Sequence, residues 1–140
     1  MSISLSEDRY FDHEADIGVI GRGQTLEGCF EDAAYSMFAL MAHLNEVHQT
    51  QTINVDFTES DPEFAFVTWL NLLLARSNAE NLVLSQFKLQ RSGDHWLGSA
   101  AGETWREDLE RGMDVKGATL TQLSVKQDRD AWEARCVVDV

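Results

Sequence analysis

The residues of this chain whose types and spacing could do chemistry lie in one short stretch, Asp12-His13-Glu14-Ala15-Asp16-Ile17-Gly18. Read as extended backbone, it places Asp12, Glu14 and Asp16 on one face and Phe11, His13, Ala15, Ile17 and Val19 on the other. Three carboxylates in a row repel one another unless water screens them or a cation sits between them. Two chemistries fit. One is a solvated acidic edge, the usual fate of an isolated acidic run. The other is part of a site for a hard cation such as Ca²⁺ or Mg²⁺, since the row offers carboxylate oxygen and no thiolate.

Other candidate groups carry less. Cys29 and Cys136 fit no CxxC or zinc spacing, and each sits in an apolar pattern, so both are read as small buried thiols in a reduced, cytoplasmic setting. His43 and His48 fall in a polar exit from a helix and His95 at the end of a hairpin, where solvated roles are expected. Gly18, Gly21, Gly23 and Gly28 match neither GxGxxG nor GxxxxGK(S/T), so they read as backbone punctuation and not as a phosphate loop. No Ser/His/Asp or Cys/His arrangement stands out, and no catalytic residue or cofactor-binding loop is assigned.

Hydrophobic period supplies the elements that must position the acidic stretch. Residues Tyr10 to Ile20 alternate as one strand, with an irregular turn near Ala15 as a variant. Thr25 is a good N-cap with Glu27 in the first turn, and Leu26, Cys29, Phe30, Ala33, Met37, Leu40, Met41 and Leu44 form a helical stripe, predicting a helix from Thr25 to His43. Ile53, Val55 and Phe57 predict a half-buried strand. Asp61 and Pro62 open a second helix, apolar on nearly all sides, that runs to Arg76. Leu82 to Gln90 and Trp96 to Ala101 read as a hairpin around Gly93, and Gly102 to Gly112 as a long loop. Strand pattern returns at Met113 to Ala118, Leu120 to Lys126 and, after a turn at Gln127 to Asp130, at Trp132 to Val140. In the sequence given, Asp139 stands beside the free α-carboxylate of Val140, so two anionic groups come together there.

These elements imply an α+β fold, a single domain with two helices packed on a mainly antiparallel β-sheet. Residues 1–9 are expected to fray and residues 10–140 to form the domain. A formal net charge of -13 argues against direct, tight binding to a phosphate backbone and favours basic partners and cations. No signal-peptide pattern or bilayer-length apolar run is seen, so the expectation is a soluble cytoplasmic protein without membrane contact.

Taken in order, the pieces resemble the archease family. Asp12 to Gly18 is similar to that family's HTADIG-type motif, and a Thr-Leu-Glu helix entry follows it with Phe30, Ala33, Ala34 and Met37. Trp69-Leu70-Asn71-Leu72-Leu73 resembles its WLNELL helix, Asp114 to Thr119 its EVKAxT strand, and Cys136 to Val140 its terminal xVxDV. Two positions depart from the pattern: Glu14 stands where Thr is usual, and Thr121 where a His of a TYH motif is common. The resemblance implies a divalent metal site made by Asp16, Asp139 and Val140, the last through a main-chain or terminal oxygen, with Ca²⁺ as the first candidate and Mg²⁺ or Mn²⁺ as alternatives. It also implies an accessory factor, not itself an enzyme, for an RtcB-type RNA ligase acting in tRNA splicing or RNA repair, which promotes guanylylation and multiple turnover of the ligase and meets RNA only through it. Oligomeric state is left open. The rival readings are a metal-dependent hydrolase (phosphoesterase) using the same carboxylates, and a metal-independent protein-binding or chaperone module.

Overall fold

Residues 8–140 are described in the computed structural model; residues 1–7, and with them most of the stretch expected to fray, lie outside the described residues. The first elements correct the single strand expected across the acidic stretch. β1 (Tyr10–His13) and β2 (Asp16–Gly23) form an antiparallel hairpin in which Tyr10 faces Val19 and His13 faces Asp16. The chain reverses at Glu14 and Ala15, with Glu14 in the left-handed region at φ 54°. The turn was foreshadowed only as an irregularity near Ala15.

Helix α1 (Leu26–Ala39) starts as the cap predicts: the Thr25 hydroxyl accepts from the Gly28 amide at 2.9 Å. It stops at Ala39, one turn short of His43. The reason is a long-range contact, because the Met41 and Leu40 carbonyls accept from Gly112 and Met113 amides at 2.7 and 2.8 Å. Those carbonyls are spoken for by another segment, and Leu44–Glu46 forms only a short 3-10 turn. β3 (Gln51–Thr58) leads into α2 (Pro62–Glu80), whose Asp61 cap accepts from the Glu63 and Phe64 amides at 2.8 and 3.3 Å. This helix runs one turn beyond the expected Arg76. Arg76 pairs with Glu80 at 2.7 Å and donates to the Asn54 carbonyl of β3, and Asn81 closes the helix in the left-handed conformation.

β4 (Leu82–Ser92) and β5 (His95–Thr104) form the expected hairpin, with Gly93 at φ 60° in its two-residue turn. β6 (Gly117–Ala118), β7 (Ser124–Asp128) and β8 (Ala131–Asp139) follow. The strands expected at Met113–Ala118 and Leu120–Lys126 are therefore much shorter. β6 and β7 both pair with β8, Gly117 opposite Asp139 and Ser124 opposite Arg135, so each occupies only part of β8's length. The segment between them stays tied by the Thr119 amide donating to Val137 and the Val137 amide donating to Thr121, both at 3.0 Å.

The expected fold class is the observed one, with its sheet divided in two. One sheet has the order β1-β2-β8-β6 with β7 also on β8; the other is β3-β5-β4, and all pairings are antiparallel. Helix α1 packs on β2 and β8 of the first sheet and β4 of the second, while α2 touches β3 and β4 of the second and β6 and β7 of the first. Both helices thus lie between the sheets, which accounts for the all-round apolar character of α2. Trp69 is fully buried there and donates its indole N–H to the Phe30 carbonyl at 3.0 Å. Phe30 in turn stacks near Phe66 and Trp96, centroids 5.0 and 5.4 Å away. Burying a side chain of this size contributes about 1.5–3 kcal/mol. No helix among the described residues is long and apolar enough to cross a membrane.

Candidate metal centre

Three strand ends meet at the proposed ligands. In the β2–β8 ladder Ile17 is opposite Val138, and both are buried. Asp16 and Asp139 each lie one residue beyond that last pair, and alternation turns their side chains to the face opposite Ile17 and Val138. Asp16 is half-buried, Asp139 exposed and Val140 half-buried. The Val140 amide donates to Asp16 Oδ1 at 3.3 Å, which places the end of β8 directly against the Asp16 carboxylate. On the far side of Asp139, β6 approaches: the Lys116 amide donates to the Asp139 carbonyl at 2.8 Å.

The hairpin dismantles the row of three carboxylates. Asp12 is opposite Ile17 and so belongs to the other side of the sheet from Asp16, and Glu14 sits in the turn. Only Asp16 of the three shares a face with Asp139. His13, which simple alternation sets on the opposite side from Asp16, instead occupies the paired position beside it. A one-residue register statement is enough to exchange these roles, because side chains alternate with period two.

A single side chain on α2 holds the β6 end of the site. The Asn71 amide nitrogen donates to the Ala118 carbonyl at 3.1 Å, and the Ala118 N–H donates to Asn71 Oδ1 at 2.8 Å, so the side chain imitates a neighbouring strand. Thr119 adds a hydroxyl bond to the Val137 carbonyl at 2.8 Å. Asn71→Ala would leave both Ala118 groups unpaired, at a cost of about 1–3 kcal/mol. We expect a lower melting temperature and faster amide exchange at Gly117 and Ala118; exchange at wild-type rates would show that β6 is held by β8 alone.

The donor set fits a hard cation: two carboxylates and the main-chain oxygen of Val140, with no nitrogen or sulfur ligand required. Among the described residues neither Asp16 nor Asp139 forms an ion pair with a Lys, Arg or His, and like charges directly opposed across strands destabilise each other. A cation between them removes that penalty. No group of three or more His, Cys, Asp or Glu side chains is placed to hold a metal among the described residues. Ca²⁺ takes about 6–8 oxygens, so donors from outside these three residues must complete any shell formed here.

Other ionisable groups do structural jobs. Burial pushes the Cys29 thiol up to about 12, with Asp32 and Glu27 adding to it, and burial likewise pushes Cys136 up to about 12. Neither is a thiolate at neutral pH, as their reading as core residues predicts. The nearly buried Glu103 carboxyl is held below its ordinary range by hydrogen bonds from Arg106, with a further bond from the His48 amide. That cluster ties the segment after α1 to the start of the loop following β5.

Fold and geometry together define a small two-sheet α+β domain in which the end of β8 reaches Asp16 at the start of β2. The profile of the archease protein family (MTH1598/TM1083) matches residues 9–140, and the chain belongs to the archease family. It is 31% identical to protein archease of Sulfolobus acidocaldarius over 97% of this chain and 100% of that one. It is also 31% identical to protein archease of Methanothermobacter thermautotrophicus, covering 94% of this chain and 96% of that one. The solution structure of Methanobacterium thermoautotrophicum protein 1598 superposes with a TM-score of 0.84 at 31% identity, over 94% of this chain and 97% of that one. A crystal structure of a Thermotoga maritima archease, described as a possible chaperone, shares the fold with a TM-score of 0.65 at 17% identity, over 98% of this chain and 100% of that one.

Proposed function

We propose that this archease is an accessory factor that activates an RtcB-type RNA ligase in tRNA splicing or RNA repair in the cytoplasm, promoting guanylylation and multiple turnover of that enzyme. The observation that carries the reading is the meeting of Asp16 with the end of β8, where the Val140 amide reaches the Asp16 carboxylate. Asp16, Asp139 and the Val140 main-chain oxygen would hold a divalent cation, Ca²⁺ before Mg²⁺ or Mn²⁺. When bound, such an ion supplies positive charge able to neutralise anionic oxygens on phosphate groups. What the chain's own residues would contribute is position: Asp16 at the start of β2, Asp139 at the end of β8, and Asn71 holding β6 at Ala118.

Strong net negative charge supports docking on a basic, RNA-binding enzyme and contact with RNA only through it. The test is ligation of RNA ends by an RtcB-type ligase from the same source, with and without this protein. We expect multiple turnover only in its presence, and Asp139→Asn to restore the rate of ligase alone while melting near the wild-type temperature. Full stimulation by Asp139→Asn would remove the β8 end from the mechanism, and phosphoesterase activity of the isolated protein that needs added Mg²⁺ or Mn²⁺ would favour a hydrolase.

A further inference from the structure

After β5 ends at Thr104, residues 105–116 cross the ends of both helices before reaching β6. Buried Leu109 and Val115 pin this segment, as do the amides of Gly112 and Met113 on the carbonyls of Met41 and Leu40. Between the pins it roofs a cavity of about 300 Å³, walled by Met41, Leu82, Trp105 and Met113 together with the polar Ser77, Asn78 and Asp114. The Arg111 guanidinium lies over the Trp105 ring at 4.0 Å. A second hollow of about 340 Å³ shares Trp105 and Arg111 and has Glu107 and Glu110 in its wall.

The walls are unusual for space beneath a surface loop. Two thioethers and an indole make an apolar lining that adapts to its occupant, because methionine is flexible and polarisable. A dry cavity of about 150 Å³ already accepts benzene, so this one has room for an aromatic side chain and its stem. Asp114 in the wall is exposed, and Glu107 and Glu110 are exposed beside the adjoining hollow, on a chain with 24 acidic residues against 11 basic. Fully desolvated aromatic anchors, ringed by polar groups, carry most of the energy in protein interfaces. The apolar side chains of the wall and the carboxylates on and beside it therefore select the same kind of segment.

We propose that this cavity seats an aromatic side chain carried on a basic segment of the partner protein, with Arg111 leaving the Trp105 face to admit it. That the partner is the ligase rests on the proposed function; the chemistry of the segment rests on the cavity alone. The cavity also communicates with the candidate metal centre. Asp114 is in its wall, Val115 is buried, and the next amide, that of Lys116, donates to the Asp139 carbonyl at 2.8 Å. Seating the anchor thus bears on the segment that holds Asp139, so docking and site geometry share one short piece of chain.

The test uses the full chain, with binding of Lys-Phe-Lys amide, Lys-Gly-Lys amide and Glu-Phe-Glu amide followed by NMR at the Trp105 indole N–H and the Met41 and Met113 methyls. Lys-Phe-Lys is expected to shift all three, Lys-Gly-Lys none, and Glu-Phe-Glu to bind more weakly by about tenfold, the combined effect of turning two exposed charge attractions into repulsions. Met113→Trp, which fills the cavity, should abolish these shifts and weaken ligase binding about tenfold or more. Asp114→Lys, an exposed change that keeps the fold, should weaken Lys-Phe-Lys and the ligase while improving Glu-Phe-Glu. Shifts confined to other residues, or ligase binding untouched by both variants, would overturn the inference and leave the proposed function standing. Peptide binding at Trp105 in a protein that does not bind the ligase would do the reverse.

Discussion

Asp16→Ala is expected to give a protein as stable as wild type without metal that gains nothing when Ca²⁺ is added and no longer stimulates a ligase. The stability half follows from contacts. The Asp16 carboxylate accepts one long bond, 3.3 Å from the Val140 amide, and lies one residue beyond the Ile17–Val138 pair, as Asp139 does on β8. An exposed bond of that length contributes little, and removing one of two opposed carboxylates relieves repulsion, so the two changes offset. With metal the balance differs. A ligand bound only by the native state stabilises it by RT ln(1 + [L]/Kd), about 2.7 kcal/mol at a hundredfold excess over Kd. For a domain of this size that corresponds to roughly 10 °C in melting temperature. Thermal melts of both proteins over a Ca²⁺ series, repeated with Mg²⁺ and Mn²⁺, give the comparison. Equal gains in both would exclude Asp16 as a ligand. A deficit of about 0.5–2 kcal/mol in the mutant at every cation concentration would instead make Asp16 a cap for the end of β8.

The residues around Asp16 show how far local chemistry reaches and where it stops. Local chemistry was legible. Thr25 and Asp61 cap the helices where hydroxyl and carboxylate side chains can reach the first free amides, and Gly93 turns the β4–β5 hairpin at positive φ. The β1–β2 hairpin was not, because its turn uses Glu14 at φ 54°, a position where Gly or Asn is the usual signal. Uninterrupted alternation was therefore the simplest reading, and it put Asp12 and Glu14 beside Asp16 and His13 away from it. Helix ends failed for a different reason. The end of α1 is set by Gly112 and Met113, and the length of α2 by an Arg76–Glu80 pair and by Asn81, so neither boundary is a property of its own neighbourhood.

The approach of the end of β8 to Asp16 was expected only through likeness to a family. Nothing in their spacing brings together residues at opposite ends of the chain; the β2–β8 register does, and register is fixed by which apolar set faces the helices. Asn71 illustrates the same limit. In sequence it was one of two polar interruptions in an apolar helix, and its role as a false strand against Ala118 depends on where β6 lands. The division into two sheets likewise follows from the helices being buried on both sides, which the apolar run of α2 announced without saying what would cover it.

Gly21→Ala should be among the most destabilising single-methyl changes in this protein. A Cβ at Gly21 would stand 2.2 Å from the Cys29 carbonyl oxygen and 2.3 Å from the Ala33 nitrogen, both backbone atoms of α1. Side chains can turn away from such a clash; a helix backbone has to move as a body. Overpacking usually costs about 1–3 kcal/mol, and the upper end or more is expected here because α1 is tied on its other sides. Its Phe30 carbonyl accepts the Trp69 indole, and its Glu31 carboxylate accepts the Leu89 amide of β4 at 2.8 Å. Lifting α1 from β2 therefore strains the contact with α2 and the bridge to the second sheet together, against a total stability of about 5–15 kcal/mol. Gly93→Ala is the control: nothing lies within 4 Å of its added Cβ, so only its φ of 60° is penalised, at about 1–2 kcal/mol. Asp16 lies at the other end of β2, paired with His13 of β1, so Gly21→Ala protein held below its lowered melting point should still gain stability from added Ca²⁺. A melting temperature for Gly21→Ala no lower than that of Gly93→Ala would mean that α1 slides on the sheet at little cost, and that the close approach of helix to strand is not what fixes β2 beneath the site.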